Sequence, residues 1–363
     1  LPEKPVRVYD LIQQLAIVDP DVLDHFGVDT IELGRGFALL EQDWTDWELP
    51  DGTPCQVPSW SIPVREDQRW VLQSKTGKVI GQMPDGSLYF EQTIYPFYSK
   101  PEDLSALQEA FDESMWMAVS SPPGPVSDAD LKDGARRLRE STDRAIIGLF
   151  GGNLLETGQF LYRNDEFLML LASEPERAHR VLDSLVEFHL ANLERYLSLV
   201  GDSIDVIAFG DDLGSQIGPQ ISPAMYREFF KPRHKILWNR AKELADVKVM
   251  LHCCGGVREL LPDLIEAGLD AINPVQISAR GMDASELKSE FGPEITFWGG
   301  GCDTHEILPR KSPAEIREHV IRQMAIFKPA GGFVFQQVHN ILNDVPVENV
   351  IAMMEAVRQA RDY

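Results

Sequence analysis

The chain has 363 residues, 44% hydrophobic and 25% charged, a composition of globular rather than disordered proteins. Its 34 Lys and Arg against 57 Asp and Glu leave a net charge of −23, which repels phosphate backbones and argues against a nucleic-acid partner. No apolar run approaches the roughly 20 residues that span a bilayer. Leu1–Asp10 shows no basic-then-apolar leader, and four cysteines at this length exclude a disulfide scaffold. A cytoplasmic location is expected.

Val6 to Ala16 and Pro20 to Phe26 read as short helices, and Val28 to Leu33 as a short strand. Residues 38–100 differ in texture. They carry Trp44, Trp47, Trp60 and Trp70 and turn signals at Asp51-Gly52, Thr76-Gly77 and Asp85-Gly86. Short alternating runs between those turns predict antiparallel hairpins, with the tryptophans as core and lid of a small β unit. Pro101 to Asp133 reads as a helical linker broken by Ser120-Ser121-Pro122-Pro123-Gly124-Pro125.

From residue 127 short apolar strands alternate with helices. Ala145–Phe150 runs into Gly151-Gly152-Asn153, Val206–Phe209 into Gly210-Asp211-Asp212, and Val247–Leu251 into His252-Cys253-Cys254. Ala271-Ile272 runs into Asn273-Pro274-Val275-Gln276, Ile295–Trp298 into Gly299-Gly300-Gly301-Cys302-Asp303, and Phe333–Val338 into His339-Asn340. Unbroken apolar runs fit strands buried on both faces of a parallel sheet. Polar residues at nearly every strand end favour a (β/α)8 TIM barrel, whose C-terminal strand ends converge on one mouth. The expectation is an α/β chain forming one barrel domain over 1–363, with the small antiparallel β insertion at 38–100. No dinucleotide fingerprint or P-loop is present.

His252, Cys254 and Cys302 form the sharpest constellation. Residues i and i+2 of an extended segment point the same way, so His252 and Cys254 face one centre and Cys253 faces away. Cys302 ends a later strand, which barrel closure brings alongside. One imidazole and two thiolates suit Zn2+ with a fourth position open; the alternative is two buried cysteines and a hydrogen-bonded histidine. Adjacent carboxylates on an extended chain point apart, so one of Asp211 and Asp212 faces the mouth as a catalytic group, or the pair is a solvated turn or a helix N-cap. His339 is placed as a catalytic, substrate-binding histidine, the alternative being a structural hydrogen bond. Asn153, Gln276 and Asn340 end further strands and are read as cofactor contacts. His25, His179, His189, His234 and His319 are assigned to packing or surface. Asp303-x-His305 matches the start of the Asp-x-His-x-x-Gly signature of corrinoid-binding domains, but Leu308 stands at the glycine, so an intrinsic corrinoid domain is rejected.

Gly148-Leu-Phe-Gly-Gly152, Phe209-Gly-Asp-Asp-Leu-Gly214, Ile221-Ser-Pro-Ala-Met-Tyr-Arg-Glu-Phe-Phe230, Trp298-Gly-Gly-Gly-Cys-Asp-Thr304 and the run from His339 to Asn349 resemble uroporphyrinogen decarboxylase-like proteins. The resemblance covers about residues 127–363 and implies a (β/α)8 barrel. That superfamily includes metal-free decarboxylases, which bind a tetrapyrrole with an Arg-rich N-terminal segment, and cobalamin-dependent methyltransferases, which carry zinc on a His-x-Cys pair and a distant Cys. Here Arg7 and Arg35 are the only arginines in the first 64 residues, while His252, Cys254 and Cys302 match the zinc pattern. The resemblance therefore implies an enzyme: a zinc-dependent methyltransferase moving a methyl group between a small molecule and a separate corrinoid (cobalamin) protein. A metal-independent decarboxylase and a non-catalytic barrel are the rival readings.

Overall fold

A computed structural model describes residues 5–34, 41–99, 101–119 and 127–362. Seven strands form one sheet: β1 (Thr30–Leu33), β2 (Ala145–Gly151), β3 (Val206–Gly210), β4 (Lys248–His252), β5 (Ala271–Asn273), β6 (Thr296–Trp298) and β7 (Phe333–Val334). Their order is β7-β6-β5-β4-β3-β2-β1, and the ladders β1–β2, β3–β4, β4–β5, β5–β6 and β6–β7 are parallel. Sequential strands that neighbour in order, with helices between most of them, give an α/β chain of TIM-barrel-like topology. The sheet contains seven described strands, one short of the expected eight.

The chain divides into two compact units, residues 1–149 with 156–185, and residues 150–155 with 186–363. In the first unit the segments on either side of β1 form two small sheets. One pairs Val6–Asp10 with Leu15–Ala16 and Pro54–Pro58, and Pro54–Pro58 with Trp44–Glu48. The other is an antiparallel meander of Val64–Glu66, Arg69–Gln73, Val79–Pro84 and Glu91–Gln92. Its turns fall at the predicted Thr76-Gly77 and Asp85-Gly86, where Gly77 and Gly86 hold positive φ. Val6 to Ala16 is strand rather than helix: Val8 and Asp10 are buried at period two, and sheet pairing outweighs a weak helical pattern. The β core is therefore wider than the insertion. Val8, Leu11 and Ile12 from before it and Met115 and Val119 from after it pack with Val57, Leu72 and Ile80. Trp47 and Trp70 meet edge to face at 5.4 Å and pack against this core. Residues 38–40, Arg35, and the break at Ser120–Pro125 lie outside the described residues.

In the second unit β3 to β6 are buried through Ile207, Val249, Leu251, Ile272 and Phe297. The sequence's unbroken apolar runs anticipate this. The helix over Pro223–Leu244 contains a π-helical turn at Tyr226–Phe230. The predicted strand Phe333–Val338 is regular only to Val334. Beyond it, the Gly301 N–H donates to the Gln336 carbonyl at 2.9 Å and the Val338 N–H to the Cys302 carbonyl at 2.8 Å. Among the described residues no helix is long and apolar enough to cross a membrane.

Candidate metal centre

β4 ends at His252, and the chain then turns through Gly255 at φ 84°. A Cβ on Gly255 would come within 2.4 Å of the Ser215 nitrogen, and one on Gly214 within 2.4 Å of the Cys254 carbonyl. Two backbones thus pass at a distance only glycine permits, which holds the loop carrying Cys254 against the loop that follows β3.

His252, Cys254 and His339 each bring one ligand atom to a common point, all within 4.8 Å of one another and each half-buried. The Cys254 Sγ lies 3.5 Å from the His252 Nε2, and the His252 and His339 ring centres are 5.9 Å apart. Tetrahedral bonds of about 2.3 Å to sulfur and about 2.0 Å to nitrogen would put such atoms roughly 3.6 Å apart. Spacing and donor chemistry therefore fit a zinc ion. His339 holds φ at 128°, a conformation that costs a non-glycine residue on the order of 1–3 kcal/mol and gathers at functional sites. Burial holds its imidazole below the usual histidine range, reinforced by His252 and opposed by Asp212.

Cys302 does not join this group. It is fully buried in an apolar cluster with Leu308, Ile316, Val320, Met324 and Met353. Its Sγ points to the Asp303 carbonyl at 3.8 Å. Burial pushes its thiol up to about 12, the behaviour of a cysteine packed among apolar side chains. The atoms that do come together include the imidazole of His339 where a second thiolate was expected. Cys253 turns away from the centre: its sulfur accepts from the Leu213 N–H at 3.2 Å.

The two carboxylates at the end of β3 separate. Asp212 is half-buried, and its Oδ1 accepts from the Cys254 N–H at 2.7 Å, so it anchors the ligand loop beside the centre. Asp211 is completely buried, and its Oδ2 accepts from the Leu155 N–H at 3.0 Å and from His234 Nε2 at 3.2 Å. With that proton on Nε2, the bare His234 Nδ1 accepts from the Tyr226 hydroxyl at 3.1 Å. This Tyr226–His234–Asp211 chain lies wholly inside the unit, and the sequence assigned His234 only to packing. No signal in the sequence marked it; the π turn at Tyr226–Phe230, a feature that often marks functional regions, is visible only in the fold.

The expected cofactor contacts fall differently. Gln276 Oε1 accepts from the Gly255 N–H at 2.8 Å, so it braces the ligand loop, and its buried Nε2 finds no partner among the described residues. The Asn153 carbonyl accepts from His189 Nε2 at 3.0 Å. Asn340 follows His339 and is half-buried. Asn273, at the end of β5, was passed over in favour of Gln276; its side chain hydrogen-bonds His252 Nδ1 at 2.7 Å. Asp303 serves a turn: its Oδ1 accepts from the N–H groups of His305, Glu306 and Ile307.

Residues 131–360 match the family model described as uroporphyrinogen decarboxylase (URO-D). The uroporphyrinogen decarboxylase of Legionella pneumophila (strain Corby) is 26% identical over 282 residues, covering 75% of this chain and 73% of that protein. That of Pectobacterium carotovorum subsp. carotovorum (strain PC1) is 27% identical over 198 residues, 53% of this chain and 52% of the relative. Among solved structures, a methyltransferase from Methanosarcina mazei superposes with a TM-score of 0.55 at 18% identity, over 76% of this chain and 74% of the other; at that identity the likeness speaks for the fold. The family and its structural neighbour are enzymes, and the strand-end site sits where barrel enzymes carry theirs. This chain belongs to the uroporphyrinogen decarboxylase (URO-D) family.

Proposed function

We propose that the protein is a zinc-dependent methyltransferase, which moves a methyl group between a small molecule and a separate corrinoid-carrying protein. The observation that carries this reading is the convergence of His252, Cys254 and His339 within 4.8 Å. Three protein ligands and an open fourth position are the pattern of catalytic rather than structural zinc. When bound there, zinc would supply Lewis-acid activation of the reactant's heteroatom, or a lowered pKa if that reactant is a thiol.

The remaining roles belong to the chain itself. Asp212 holds the backbone of Cys254 and is the carboxylate beside the centre able to orient a reactant or exchange a proton with it. Gln276 ties Gly255, so the ligand loop is braced on both sides of Cys254. Burial holds the His339 imidazole below the usual histidine range, which favours the neutral ring with a lone pair to donate.

The names of the curated relatives favour a second reading, metal-independent decarboxylation of a porphyrinogen. A substrate with many carboxylates needs cations around it, because buried carboxylates must be paired. The groups gathered at this centre are His, Cys, Asp, Asn and Gln. The deciding experiment is elemental analysis of protein purified under reducing conditions, then assay of methyl transfer by the cobalt absorbance of an added corrinoid protein or free methylcobalamin. About one zinc per chain and a zinc-dependent spectral change are expected. Protein that binds no zinc and decarboxylates uroporphyrinogen would overturn the proposal.

A further inference from the structure

The side chain of Asn273 is almost fully buried, and three partners use it. Its Nδ2 lies 2.9 Å from the Trp298 main-chain carbonyl and 3.1 Å from Gln336 Oε1. A main-chain carbonyl can only accept, so the amide group facing it must be the NH2, and its two hydrogens are then spent on Trp298 and Gln336. The amide oxygen is left facing His252 Nδ1 at 2.7 Å. An amide oxygen can only accept, so the neutral ring carries its proton on Nδ1 and a bare lone pair on Nε2. That Nε2 is the nitrogen 3.5 Å from the Cys254 sulfur. Sheet register builds the arrangement: β4 and β5 set His252 opposite Asn273, and the Cys253 N–H donates to the Asn273 carbonyl at 2.6 Å.

From this chain of partners we infer that Asn273 is a positioning residue that fixes His252 in its Nδ1–H tautomer and so presents Nε2 to the centre. The inference rests on the metal reading only for its purpose; the tautomer itself is a property of the metal-free protein. A ligating histidine held this way by an outer partner loses about 10–100-fold in metal affinity when that partner is removed. Trp298 and Gln336 act one step further out by orienting the amide, which makes the whole β4–β5–β6 edge part of the site.

The test is 15N NMR of metal-free protein labelled in histidine, at about pH 8, above the ordinary histidine pKa of about 6.5. His252 is assigned by comparison with His252→Gln. The wild type should show His252 protonated at Nδ1. In Asn273→Ala the ring should become a mixture of tautomers and zinc affinity should fall about 10–100-fold. Asn273→Asp, which keeps an acceptor oxygen for Nδ1 but loses the hydrogens given to Trp298 and Gln336, should restore the Nδ1–H tautomer. A wild-type ring protonated at Nε2 overturns the inference, as does an Asn273→Ala protein with unchanged tautomer and zinc affinity. If Asn273→Ala does not fold, the wild-type ring and Asn273→Asp decide it. Failure of the wild type to bind zinc would sink the proposed function, and the ring assignment would still settle this inference.

Discussion

Removing the sulfur of Cys254 should abolish zinc binding, and removing that of Cys302 should leave it intact. His339→Ala should lose zinc as Cys254→Ala does, because the three-atom cluster is built from His252, Cys254 and His339. Cys302→Ala should cost only about 1 kcal/mol of stability, the usual price of a small cavity, since its side chain packs among aliphatic groups. Metal analysis of the three folded variants checks this; zinc loss in Cys302→Ala would restore the sequence's original ligand set. A second residue gives a pH signature. Burial lowers His189 to about 4, so the fold favours its neutral form. That contribution is fully present above the unfolded value of about 6.5 and is lost as pH falls toward about 4; fully lost, it amounts to about 3 kcal/mol. Melting temperature should therefore drop more steeply between those pH values in the wild type than in His189→Gln, which keeps a donor for the Asn153 carbonyl without the titration. Parallel profiles would show that His189 does not carry the acid limb.

The loop after β6 shows what an element contributes. Gly299 holds φ at 126°, and a Cβ there would come within 2.0 Å of the Pro274 carbonyl. The same residue donates its N–H to Val334 across the β6–β7 edge. Gly299→Ala should therefore destabilise the protein by on the order of 2–4 kcal/mol through strain and a backbone clash together. Chemical denaturation would read this as a lowered midpoint with an unchanged slope; a wild-type midpoint would show that the loop gives way freely. Strand ends in this unit work as brackets: β3 delivers Asp212 to the Cys254 N–H, and β5 delivers Asn273 to His252. The buried Tyr226–His234–Asp211 chain keeps the end of β3 in place, so the anchor is itself anchored.

Across the whole molecule the dominant quantity is charge. A net charge of −23 makes self-repulsion a standing cost of the compact state. Salt shortens the reach of that repulsion to about 8 Å at about 0.15 M. The melting temperature should rise from low salt to about 0.15 M, as scanning calorimetry would show; a fall would mean that surface ion pairs outweigh the net repulsion. The corrinoid protein of the proposed function would, for the same reason, need a docking surface less acidic than this one.

How much could be read without the structure follows from the range of each interaction. Parallel strands buried on both faces write themselves as unbroken apolar runs, and the six sheet strands after β1 were legible for that reason, with β7 regular only to Val334. The His252–Cys254 pair was legible because alternation along one strand is local, and so was the outward turn of Cys253. The tertiary structure alone decided which third side chain joins the His252–Cys254 pair. Cys302 and His339 both follow strands, and spacing does not say which points inward; the helices Pro313–Phe327 and Val347–Ala360 supply the apolar cluster that claims Cys302. The division between Asp211 and Asp212 was foreseeable as a division, but which faced the centre depended on His234 from a helix over twenty residues away. Asn273 was invisible for the same reason: its role exists only because β4, β5 and β6 lie side by side, and hydrogen bonds between strands leave no periodicity in the chain.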